Sequence, residues 1–216
     1  MFMASDTFQT HVARTAQFHE AVLHHVATLT PAPGERFVVA FQSGILSLEH
    51  AVSAMLLFEA GQFASGIALL RCQFECLVRG IWLLHAANDN WVAKFAEPLT
   101  TESARQANEG LGLADMLKAL EAAPEAPAAI VAQLRGYKDV TWKAMNSYTH
   151  GGLHPLARTL TGYPEQLIYD VTRNANALVA LCAQLQSILT GMPENMAPVR
   201  QMHESFADVL PIIGQA

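Results

Sequence analysis

The sequence predicts an all-α protein, a single up-and-down helical bundle of about five to seven helices, and three observations carry the prediction. Apolar residues recur at intervals of three and four through long segments. Pro and Gly clusters fall between those segments. No stretch alternates with the period of two that a strand requires. At 216 residues the chain suits one domain, with the bundle proper over about 35–191, an N-terminal helix within 1–30 and a C-terminal helical appendage over 193–216.

Asp6 can cap a first helix that runs to about Leu29, where Thr30-Pro31-Ala32-Pro33-Gly34 stops it, because each Pro removes a donor and restricts the residue before it. A second helix is expected from about Glu35 to Ala60, with Gly61 at the turn, and a third from about Gln62 to Ala87, ending before Asn88-Asp89-Asn90. These two form an antiparallel hairpin at the heart of the fold. A short helical piece around Trp91 to Phe95 follows, then a polar segment capped at Thr100 or Thr101, interrupted at Gly110 and Gly112 and ending near Ala123. Pro124 and Pro127 mark the next turn. A helix from about Ala128 to His150 stops at Gly151-Gly152, and Pro155, Gly162 and Pro164 make a loop. An amphipathic helix from about Glu165 to Leu189 ends at Gly191 and Pro193, and a short helix runs through Met202 to Val209. The small residues of Ser43-Gly44-Ile45 and Ser65-Gly66-Ile67 are expected to let helices approach closely.

Composition narrows the function. The hydrophobic fraction is 51% and the charged fraction 15%, so many helix faces are covered, some by a second subunit. A net charge of −6, with 13 Lys and Arg scattered along the chain, excludes a preformed basic tract and leaves room for a local basic pocket. Cys72, Cys76 and Cys182 form no CxxC pair and read as reduced core thiols in a cytoplasmic protein. The uncharged stretch from Asn174 to Pro193 holds too many amides and hydroxyls for a membrane span, so no membrane partner is expected. No E-x-x-H occurs, which disfavours a di-iron site. A mononuclear site drawn from His24 or His25, His50 and His150 or His154 is less favoured than scattered histidines, and no metal or cofactor is assigned.

One polar constellation stands out. On the third helix Arg71, Glu75, Arg79 and Trp82 advance by three or four and share a stripe of a helix that is apolar nearly all round. Charges there are costly unless paired or hydrogen-bonded. Glu75 can neutralise one Arg, which leaves one positive charge to be answered by Glu49 or Glu59 on the second helix, or by an external anion such as a phosphate. Trp142, Asn146 and His150 repeat the spacing on a later helix, with His154 just past its end. If the two helices pack together, an imidazole meets two guanidiniums. The alternative is a buried Arg-Glu-Arg ladder, satisfied by Asn146 and His150, that fixes helix register without a ligand.

The segment ALLRCQFECLVRGIWLL, from Ala68 to Leu84, and the later Asn146-Ser147-Tyr148-Thr149-His150-Gly151-Gly152 resemble a group of uncharacterised bacterial all-helical proteins with a central R-x-x-x-E and a later S-x-x-H-G. The likeness extends over roughly Gln42 to Gly152. Those proteins are similar in architecture to the HEPN superfamily, many of whose members are RNases of toxin–antitoxin, abortive-infection and CRISPR systems. The superfamily's R-x(4–6)-H signature, in which Arg binds the scissile phosphate and His assists the 2′-hydroxyl, is matched by Arg14 to His19 and by Arg79 to His85.

The resemblance implies a HEPN-like, metal-independent RNase or a domain that binds RNA or another phosphate ligand, in a bacterial defence or toxin–antitoxin setting. Arg79, His150, Arg71 and Glu75 would be its catalytic residues, and Asn146, His154, Trp82 and Trp142 its ligand-binding residues. The implied partners are a second copy in a homodimer, RNA or a small phosphate, and an antitoxin. The other function class is a non-catalytic helical scaffold or dimerisation protein whose charged cluster is structural.

Overall fold

Burial of two long apolar segments organises the molecule. The computed structural model describes residues 6–98, 100–101 and 110–211, and every regular element among them is helical. In chain order these are α1 (Asp6–Ala27), α2 (Glu35–Glu59), α3 (Phe63–His85), α4 (Asp89–Ala96), α5 (Leu113–Ala122), α6 (Ala128–Thr149), α7 (Leu153–Thr161), α8 (Glu165–Leu189) and α9 (Met196–Ser205). Short 3₁₀ turns cover Pro193–Asn195 and Ala207–Val209. The expected cap by the Asp6 side chain, and residues 102–109 of the expected polar segment, lie outside the described residues.

Nine α-helices among the described residues exceed the five to seven expected. Proline explains two of the differences. Pro155, expected in a loop, is the third residue of α7, and Pro198 is the third residue of α9, which begins at Met196 rather than near Met202. The first turn of a helix has amide hydrogens with no intrahelical acceptor, so a proline there forfeits nothing. Asn88, expected as a stop, is also a start: its side chain accepts from Trp91 N at 3.1 Å and caps α4.

Helices α2 and α3 form the expected hairpin, turned at Gly61 with φ +71°. Two glycines hold the helices close. A Cβ on Gly66 would lie 2.4 Å from the Phe58 ring and 3.1 Å from Ala54 O, and one on Gly80 would lie 3.1 Å from Ala40 O. Gly44 serves a different contact, because its missing Cβ makes room for Gln186 and Cys182 of α8. Helix α8 lies across the hairpin, and side chains tie the two hairpin helices to each other and to α8. Ser43 donates to Cys76 O and Ser47 to Gln73 O, both at 2.8 Å, while Gln73 donates to Ala175 O at 3.0 Å and Gln186 to Phe41 O at 2.9 Å. Each buried donor thereby finds a helix carbonyl.

Helix α3 touches α2, α5, α6 and α8, so its wholly apolar sides are enclosed as the sequence requires, and Phe74, Leu77 and Val78 are fully buried. Helix α2 is long and apolar enough to cross a membrane by composition alone, yet its inner face packs on α3 and α8.

Helix α1 docks on α8 through a polar seam that the sequence reading did not foresee. His11 Nε2 meets Thr172 Oγ1 at 3.0 Å, His19 Nε2 meets Asn176 Oδ1 at 2.8 Å, and His25 Nε2 meets Ser187 Oγ at 2.9 Å. The proton positions follow from the other bonds these partners make. Asn176 Nδ2 donates to Val209 O and Thr172 Oγ1 donates to Ile168 O, so both present acceptors to imidazoles that donate through Nε2. Burial lowers the pKa of all three histidines, that of His11 to about 4, where nearby Arg173 pushes in the same direction.

The folded chain therefore keeps these imidazoles neutral below the ordinary value of 6.5, while the unfolded chain protonates them. Since the unfolded state binds more protons, stability falls as the pH drops from about 6.5 towards about 4. Thermal midpoints measured from about pH 7.5 to about 4.5 should decline, and His19→Gln should flatten the decline. A midpoint independent of pH over that range would contradict the seam.

Candidate functional site

The spacing of α3 turns Arg71 and Glu75 to the same side, one turn apart, and Arg71 Nε bonds Glu75 Oε1 at 2.9 Å. The C-terminal end of α6 closes on this pair. Arg71 Nη1 lies 2.8 Å from His150 Nε2, and the guanidinium sits 4.9 Å from the centre of the Trp142 ring. A guanidinium nitrogen can only donate, so His150 accepts through an unprotonated Nε2 and carries its proton on Nδ1. Asn146 comes with Trp142 and His150 on α6, and its Oδ1 is buried without a hydrogen-bond partner among the described residues. The expected meeting of the two stripes is thus realised at Arg71, Glu75, Trp142 and His150.

The cluster is not a buried ladder. The side chains of Arg71 and Glu75 are 23% and 31% exposed, and His150 is exposed at the cap of α6, where Gly151 (φ +64°) turns the chain. Among the described residues Arg71 uses two of its five N–H donors, on Glu75 and His150.

Arg79 does not join the cluster. It lies about 12 Å further along the helix axis, eight residues at 1.5 Å each, where its guanidinium stands 5.3 Å above the Phe95 ring and beside Gly110. The ion pairs of the described residues join Arg14 to Asp208, Arg36 to Asp89, Arg71 to Glu75 and Arg135 to Glu121, so none of them neutralises Arg79. Glu49 and Glu59, the acids expected to answer it, are exposed on α2 and pair with neither Arg71 nor Arg79. Glu59 instead lines a cavity with His19 and Leu23 of α1.

Trp82 and His154 are also placed apart. Trp82 is 1% exposed and packs edge-on against Trp91 at 5.9 Å, three turns along the stripe from Arg71, so no pocket forms between Trp82 and Trp142. His154 is exposed at the start of α7, its backbone N bonded to Ser147 Oγ at 3.0 Å and its ring 6.2 Å from that of Tyr148.

Neither R-x(4–6)-H match brings its Arg and His together within the chain. Arg14 pairs with Asp208 and lies over Phe206, while His19 is in the α1–α8 seam. Arg79 faces Phe95, while His85, half-buried with its pKa lowered by burial, feels Glu125. The Arg–His contact the fold does make joins residues 79 apart in sequence, a pairing no local motif encodes. Among the described residues no three His, Cys, Asp or Glu side chains are grouped to hold a metal ion. Cys76 and Cys182 have thiol pKa values pushed up to about 11 and about 12 by burial, so neither is an activated nucleophile.

Arg71→Met should remove the ion pair, the bond to His150 and the stacking on Trp142 while keeping the apolar stem, and should lower stability by about 1–2 kcal/mol. Chemical denaturation checks this, with His150→Ala expected to cost less. An unchanged midpoint for Arg71→Met would mean that the cluster does not hold α6 to α3.

A model of the family of unknown function DUF6988 matches residues 44–212, a span that includes both charged stripes and leaves α1 outside. No curated protein and no solved structure matches the chain.

Proposed function

We propose that this chain, which belongs to the family of unknown function DUF6988, is a HEPN-like helical domain that binds single-stranded RNA along the partly exposed edge of α3. The observation that carries the reading is the charge balance there. Glu75 neutralises Arg71, and Arg79 is left with an aromatic ring beneath it and no carboxylate partner among the described residues. A guanidinium with unused donors beside an aromatic face matches a phosphate next to a stacking base.

Spacing favours a polymer over a small phosphate. Arg71 and Arg79 stand about 12 Å apart along the helix, too far for one phosphate to bridge and within reach of successive groups on a strand. Trp142 and Phe95 lie under the two guanidiniums and supply apolar surface at each end. His150 Nε2 is occupied by the Arg71 N–H, so it would serve as the base of a metal-independent RNase once a bound phosphate draws the Arg71 guanidinium away from it. The net charge of −6 limits binding to this local edge.

A second reading, a non-catalytic scaffold that pairs with another copy, is favoured by Leu153, Leu156 and Leu160. They lie on one side of α7 and are 78%, 61% and 89% exposed.

Incubation with a labelled single-stranded RNA tests the first reading. Binding at low salt should weaken about tenfold in Arg79→Ala and in Arg71→Ala, with a shallower salt dependence in each. If the cluster is catalytic, His150→Ala should abolish cleavage and retain binding. An absence of both binding and cleavage in the parent, together with a dimer by light scattering, would leave the scaffold reading in its place.

A further inference from the structure

Helix α6 has a second face that the charged cluster does not use. Tyr137, Thr141, Ala144 and Tyr148 recur at three- and four-residue intervals on the side away from Trp142, Asn146 and His150. They line a cavity of about 230 Å³ closed by α3, α7 and α8. Its walls are apolar, with Ile67 and Leu70 from α3, Met145 from α6, and Leu167 and Val171 from α8. That is somewhat below the volume of sites for drug-sized molecules and suits a smaller body.

One charged group at the rim of this apolar space has no carboxylate partner among the described residues. Arg158 of α7 is half-buried at the rim, where it hydrogen-bonds Tyr148, and no carboxylate pairs with it among the described ion pairs. Asp170, also at the rim, differs in both respects, since it is exposed and already accepts from Gln166 at 2.8 Å. The unanswered group is therefore the cation.

We infer that the cavity between α3, α6, α7 and α8 is a binding site for a small amphipathic carboxylate, its apolar tail among Ile67, Leu70, Met145 and Leu167 and its carboxylate on Arg158. A carboxylate matches a single guanidinium fork through two parallel hydrogen bonds, whereas an amine would be repelled by it. Helix α7 forms the cover. It packs against α6, with Pro155 its buried residue, and its His154 and Arg158 face the lining residues of α3 and α8 across the cavity. This site is separate from the Arg71 cluster, and its occupancy does not depend on RNA binding.

Calorimetric titration with hexanoate, hexanamide and hexylamine tests the inference on the full chain. Hexanoate should bind with millimolar or better affinity, and the amide and the amine at least about tenfold more weakly, the ratio expected for one charge-assisted contact. Ala144→Leu, which fills the cavity, should abolish hexanoate binding. Arg158→Gln, a change at the rim that leaves the core intact, should erase the difference between acid and amide. Equal binding of the three compounds, hexanoate binding retained in Ala144→Leu, or no binding of any up to about 10 mM would each overturn the inference.

Discussion

A charged side chain on an enclosed helix must find its partners where the enclosure is incomplete, and α3 is built around that constraint. Four helices cover it, and at its open edge Arg71 lies between Glu75 of its own helix and His150 of α6. That contact fixes where the end of α6 sits, and Gly151 can then turn the chain into α7. The placement of α7 in turn closes the cavity on the other face of α6. The charged edge and the cavity are thus two consequences of one helix placement.

The hairpin shows how backbone approach and polar satisfaction cooperate. Gly66 and Gly80 permit helix spacings that a Cβ would forbid, and the closeness lets short Ser43 and Ser47 side chains reach carbonyls of α3. Longer reach is left to Gln73 and Gln186, which tie the hairpin to α8. Helix α1, outside the family match, is held differently, by neutral imidazoles donating to Thr172 and Asn176 and a third meeting Ser187. Its attachment is pH-sensitive where the hairpin's is not.

Much of the helical layout was legible because period and punctuation are local signals. The bounds of α2, α3 and α8 fall within about two residues of expectation. Proline misled where it opens a helix, at Pro155 and Pro198, because its missing donor disrupts an interior but not a first turn. The meeting of Arg71 with His150 was legible as two stripes of equal spacing. The separation of Arg79 and Trp82 was not, since a stripe states which face a residue shares but not which neighbour ends partway along it. The α1–α8 seam was hidden for the opposite reason. His11 was not singled out, and His19 only as the end of an R-x(4–6)-H match, because their partners, Thr172 and Asn176, are more than 150 residues away. Arg158 carried no sequence signal, as a cavity is a property of four helices at once.

The central claim is that the unmatched charge at the edge of α3 is answered by phosphates of a bound strand. The guanidinium Nε–H resonances of Arg71 and Arg79 report on it directly when the protein is titrated with a short single-stranded RNA. Both should shift together and saturate at the same RNA concentration, with the indole resonance of Trp142 moving alongside. Resonances of Arg71 and Arg79 that stay fixed while the RNA saturates elsewhere, or at no concentration, would contradict the account.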